Sequence, residues 1–177
     1  MNDKLKKTCV CKLLIVTLIF GCGHQLSGQE KLNISGGLGL PELINIGFRY
    51  QLKQVQIGFS IGAIPYGSGE YSVSFSGDLY YHFLGSSELS KRKPWYGRIG
   101  LNYFRNETEI VIDRYLYLTT RLGREFNFSR KFGIAIDIGA FYQLSNKEIR
   151  KVPPSSWNFD FEFPVLPSIG VGVFYRI

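Results

Sequence analysis

Two histidines, three cysteines and a set of evenly spaced charges are where chemistry would first be sought in this 177-residue chain. A general base must lie within hydrogen-bond reach of its nucleophile, and a third group usually orients it. His82 is followed by Phe83 and Leu84. It therefore lacks the His-x-Ser pattern that would place a hydroxyl beside it. Cys9, Cys11 and Cys22 all lie near the N-terminus, and His24 lies with them. No glycine-rich phosphate loop or cluster with metal-ligand spacing follows. The expectation is a chain with no catalytic residue, no cofactor and no metal, in which His82 is structural. Asn106-Glu107-Thr108 fits a glycosylation sequon, a match read as chance.

The charges are more informative. Arg49, Asp78, Arg98, Arg121, Glu125, Asp137 and Arg176 each occupy the small or polar parity of a segment whose other parity is apolar. In a strand, alternate residues point to opposite faces. If each segment is a strand, these seven share one face. Charges gathered in a cramped interior need partners, because desolvation is costly. Strand adjacency pairs Asp78 with Arg98, and Arg121 with Asp137. The expected role is an ion-paired plug that rigidifies a closed barrel, and the alternative is an ion path.

Eight such segments follow one another, at 32–40, 43–52, 54–64, 71–83, 95–104, 114–126, 132–143 and 165–177. In the third, Val55, Ile57, Phe59 and Ile61 alternate with Gln56, Gly58, Ser60 and Gly62. Helical periodicity is absent after residue 28, and β-branched and aromatic residues dominate the apolar parity. Segments of about ten residues suit a tilted barrel strand, and an even count returns both termini to one side. A soluble barrel would turn its polar parity to water and enrich it in Lys, Glu and Thr. Here that parity is mostly Gly, Ser and Asn, which suits the narrow interior of an eight-stranded barrel. The predicted fold is all-β: a closed eight-stranded antiparallel transmembrane barrel, an up-and-down meander.

The first 28 residues read differently. Lys4, Lys6, Lys7 and Lys12 precede the apolar run Leu13–Phe20, which is too short to span a bilayer as a helix. A basic region, a short apolar region and small residues describe a secretory signal peptide, residues 1–28, cut after Gly28. Lipoprotein processing at Cys22 is the alternative. A mature domain of residues 29–177 would hold no cysteine and hence no disulfide. Of 21 basic and 14 acidic residues, the leader takes four lysines and Asp3, so the charge falls from +7 to 17 − 13 = +4. That excess is too mild for a nucleic-acid partner.

The tail Gly170–Ile177 places Val171, Val173, Tyr175 and Ile177 on one parity. Gly172, Tyr175 and Ile177 match the terminal signal of outer-membrane barrels. With the leader and the segment Arg121–Phe128 running into Gly133–Phe141, the chain resembles the small eight-stranded outer-membrane barrels of the OmpX and OmpA-barrel type, and most of all those of the Bacteroidota. The resemblance covers residues 29–177. It implies a Gram-negative outer-membrane location with periplasmic termini, and contact with outer-membrane lipids and lipopolysaccharide. It also implies insertion by the barrel-assembly machinery, and it says little about activity. The expected connections are short on the periplasmic side, except for 84–94 with Lys91-Arg92-Lys93. The external ones are 41–42, 65–70, 105–113 and a long 144–164.

Within that last connection Trp157, Phe159, Phe161 and Phe163 alternate with Asn158, Asp160 and Glu162. This ladder is the candidate extracellular surface for a protein or glycan partner. The reading is a non-enzymatic outer-membrane protein with a structural or surface-recognition role. Alternatives are a lipid-modifying enzyme of the lipid A deacylase type, a small pore, or an accessory subunit of a larger outer-membrane complex.

Overall fold

A computed structural model describes residues 31–67, 70–151 and 164–177. The leader and the 157–163 ladder lie outside the described residues. Eight strands run in chain order: β1 (Leu32–Gly39), β2 (Leu43–Leu52), β3 (Val55–Gly67), β4 (Glu70–Leu84), β5 (Trp95–Glu107), β6 (Val111–Asn127), β7 (Phe132–Arg150) and β8 (Val165–Arg176). Each pairs antiparallel with the next, and β8 returns to β1 from Asn33↔Arg176 to Gly39↔Gly170, closing the barrel. Closure gives both edges of every strand a partner and removes the free edge an open sheet would leave. The tail strand is therefore the seam that completes the wall.

The alternation seen in sequence becomes an inside-out burial pattern. In β4, Ser72, Ser74, Ser76, Asp78, Tyr80 and His82 are buried, while Phe75, Leu79 and Tyr81 stand outside. Ile46 is 62% exposed, Phe59 53% and Ile138 65%, whereas Ser74, Asn102 and Thr119 are each 1% exposed. A water-soluble fold does the reverse, because burying an Ile or Phe side chain contributes roughly 1.5–3 kcal/mol. Here a continuous wall of Ile, Leu, Val and Phe is turned outward and the polar atoms are turned in.

The strands are longer than the alternating segments at one end. β3 reaches Gly67, β5 reaches Glu107, β6 starts at Val111 and β7 runs to Arg150. Connections expected at 65–70, 105–113 and 144–164 shrink to match. The outer parts of β6 and β7 pair from Val111↔Arg150 to Leu116↔Ser145, with a register shift between Leu116 and Tyr117. A bulge of this kind breaks period-two alternation. Outward residues there are also polar, so the pattern fades although the ladder continues. This end, which bears connections 40–42, 68–69, 108–110 and 151–164, is called the loop end. The opposite, termini end bears 53–54, 85–94 and 128–131.

Candidate functional site: a charged, ion-paired interior

The loop-end half of the interior is organised by Glu42, which the alternation missed. Its turn, 40–42, holds a cis Leu40-Pro41 bond, and Leu43 follows at φ 66°. A left-handed residue is uncommon outside glycine; this one reverses the chain so that Glu42 dips inward and is 2% exposed. Close approach needs Gly62 opposite, where an added Cβ would collide with the Glu42 carbonyl. Ser74 donates to that same carbonyl at 2.9 Å. The Glu42 carboxylate forks between two arginines: Arg98 donates to Oε1 at 2.8 Å and Arg121 to Oε2 at 2.5 Å.

Each arginine also holds an aspartate. Arg98 donates from Nε and Nη2 to the two Asp78 oxygens at 2.9 and 2.8 Å, the bidentate geometry that makes Arg–carboxylate pairs strong. Arg121 donates to Asp137 Oδ1 at 2.9 Å and to Ser168 Oγ at 2.5 Å, and it also donates to the Leu40 carbonyl. Tyr96 donates its hydroxyl to Asp137 Oδ2 at 2.9 Å. Gly170 makes room, since a Cβ there would meet both Asp137 and Arg121. Three carboxylates and two guanidinium groups thus interlock across the 40–42 turn, β4, β5, β6 and β7.

Arg49 differs from its expected place in this network. Its guanidinium lies 4.6 Å from the Tyr80 ring centre, a cation–π contact in place of a carboxylate partner. Tyr80, Tyr96, Ala135 and Phe174 form the apolar layer at mid-height.

Below that layer a second cluster fills the termini end. Arg92, from connection 85–94, turns in and donates to Glu125 Oε2 at 3.0 and 2.6 Å and to Gln51 at 2.7 Å. Arg176 reaches the same Glu125 oxygen at 3.4 Å and donates to Asn127 at 2.5 Å and to the Arg130 carbonyl at 2.9 Å. Phe174 lies against both cations, 5.6 Å from Arg92 and 4.7 Å from Arg176. His82, 1% exposed, is pinned on both ring nitrogens. Nδ1 is 2.8 Å from the Lys93 carbonyl and Nε2 is 3.1 Å from the Gln56 amide. It faces no hydroxyl nucleophile in either contact.

The space left is small. The interior cavity bounded by Glu42, Arg49, Asp78, Arg98, Arg121 and Asp137 has a volume of about 40 Å³, room for a few waters. Among the described residues, no group of three or more His, Cys, Asp or Glu side chains is placed to hold a metal ion.

Of the seven charges picked out by parity, six enter the two ionic clusters. Glu42 and Arg92 come from connections, where parity has no meaning. One signal was nevertheless present. The seven comprise four arginines and three acids, so a buried network built from them alone lacks an anion, and Glu42 is an acid held against the wall in a short turn. Arg92 left no such trace.

No protein-family model matches this chain, and no curated protein matches it either.

Proposed function

We propose that this chain is a non-enzymatic integral barrel protein of a Gram-negative outer membrane. A sealed interior holds the wall rigid, and the connections at the loop end act at the cell surface. The observation that supports this most is the inverted burial: exposed outward Ile, Leu and Phe around a charged, filled core. Within lipid that wall is solvated, and closure leaves no free strand edge. The end that bears both termini is periplasmic on this reading. The resemblance to small Bacteroidota barrels, an inserted route through the assembly machinery, and contact with lipopolysaccharide at the loop end all belong to the same proposal.

The interior argues for structure over traffic. Both guanidinium groups of the upper cluster and all of their carboxylate partners are at most 8% exposed. An ion would have to break several charge-assisted bonds to pass. The pinned His82 argues against a lipid-modifying site. The test is fractionation and gel behaviour. The protein should sediment with outer membranes, require detergent, and migrate differently before and after boiling. Recovery as a detergent-free soluble monomer would refute the reading.

A further inference from the structure

The two rims of the barrel differ in how they treat charge. At the loop end the cations are matched by acids. Arg105 and Lys151 both contact Glu107, at 2.5 and 2.8 Å, and Arg150 pairs with Glu148. Arg114 and Lys147 stand with Glu70, Glu109 and Asp113 in the same strand ends and turns.

At the termini end that balance is lost. The connections there expose Lys53, Lys91, Lys93, Arg130 and Lys131, and one exposed acid, Glu88, stands among them. Lys93 reaches the Phe83 carbonyl at 3.1 Å, and Lys131 lies 5.9 Å from the Tyr175 ring. Among the described residues none of the five forms an ion pair, although ion pairs are plentiful elsewhere in the molecule. Directly below, on the outer wall, Arg124 sits 5.4 Å from the Trp95 ring and 5.0 Å from that of Phe126. Phe83, Phe126, Phe128 and Tyr175 continue an exposed aromatic belt at this level.

Aromatic belts settle at the polar–apolar boundary of a bilayer. Unpaired basic residues just beyond one are placed at the depth of lipid phosphates, where each gains affinity for an anionic surface. We infer that the termini end is a phospholipid-binding collar: its five exposed cations and Arg124 select anionic phospholipid headgroups, of the phosphatidylglycerol class, in the leaflet on that side. The inference rests on the membrane reading. It adds a lipid preference and assigns it to one rim, since among the described residues the cations of the loop end are matched by acids.

Trp95 supplies a reporter inside the collar. The chain has two tryptophans, so Trp157→Phe leaves Trp95 alone. The full chain carrying that change is refolded into bilayers, and Trp95 fluorescence is quenched with phosphatidylglycerol or phosphatidylcholine brominated near the carbonyl end of the acyl chains. The expected result is association of the anionic lipid at least about threefold stronger than the zwitterionic one, given the strength of basic residues near a charged surface. The preference should vanish at about 1 M salt, where screening acts within roughly 3 Å. Lys91→Gln with Lys93→Gln and Lys131→Gln should abolish it, while Lys147→Gln with Lys151→Gln should leave it intact. Continued quenching by phosphatidylcholine shows that each variant is still inserted. Equal quenching by both lipids overturns the collar and leaves the membrane reading standing. So does a preference that survives the triple substitution. Quenching by neither lipid overturns the membrane reading and the collar with it.

Discussion

The loop-end and termini-end halves of the interior solve one problem with opposite signs. Above the Tyr80–Tyr96–Phe174 layer, three carboxylates hold two arginines. Below it, two arginines hold one carboxylate. Each half takes one partner from a connection: Glu42 from the three-residue turn 40–42 above, Arg92 from the longest described turn below. A barrel of eight strands is just wide enough for side chains to fill, and here a turn at each end supplies one of the ions that fill it. The lesson is that the turns contribute to the core of this molecule. A turn that donates a buried ion to a barrel is under the same constraint as a core strand.

The largest effect should come from the seam that both halves share. Deleting Phe174–Ile177 removes Arg176 from the lower cluster, Phe174 from the middle layer and part of the β1–β8 pairing. An open edge cannot be satisfied in lipid. Loss of heat-modifiable protein and degradation of the chain are expected, and normal levels in a membrane fraction would break the account.

Next come the upper-cluster ions. Arg121→Ala takes one cation from two carboxylates at once, leaving Glu42 to Arg98 and Asp137 to Tyr96 and, at 3.6 Å, Arg98; it should cost about 3–5 kcal/mol in a urea-unfolding titration in detergent. Adding Asp137→Ala should restore part of that loss, a coupling that a double-mutant cycle measures directly. Glu42→Gln keeps the shape of the turn and removes one charge. It should cost about 1.5–3 kcal/mol, the range for hydrogen bonds to charged groups.

Arg92→Ala tests the lower half. Its loss leaves Glu125 with Arg176 at 3.4 Å, so a charged partner remains. A smaller loss than for Arg121→Ala is expected in the same titration, about 1–3 kcal/mol. Equal losses for the two would show that the halves are not distinct and would erase the comparison. The smallest effect should be on His82→Gln, which keeps a donor and an acceptor near Lys93 and Gln56. A change within about 1 kcal/mol is expected, with no effect on any lipid-directed activity.

How far the sequence reached follows from these particulars. Period-two alternation located all eight strands, because an apolar outer wall and a polar inner wall impose it residue by residue. The alternation failed beyond Tyr103 in β5 and before Leu116 in β6, where polar residues take the outer face, and beyond Gln143 in β7, where Leu144 is the extra residue of a bulge. Within the barrel, Asp78 and Arg98 lie on adjacent strands and could be paired on paper. Glu42 could not, since its inward aim depends on the left-handed turn at Leu43 and on the space at Gly62. Arg49 had the right parity but found the face of Tyr80, because parity sets direction and says nothing about which neighbour is in reach.

The central claim is that the outer face meets lipid while the inner face is sealed from water. Spin labels placed singly at Phe59, Phe75, Ser76 and Thr119 in bilayer-refolded protein test both halves at once, through collisions with oxygen and with a water-soluble nickel complex. The account predicts strong oxygen and weak nickel collisions at Phe59 and Phe75, and weak collisions with both at Ser76 and Thr119. Strong nickel collisions at Phe59 and Phe75 would contradict the lipid-facing wall, and strong nickel collisions at Ser76 and Thr119 would contradict the seal.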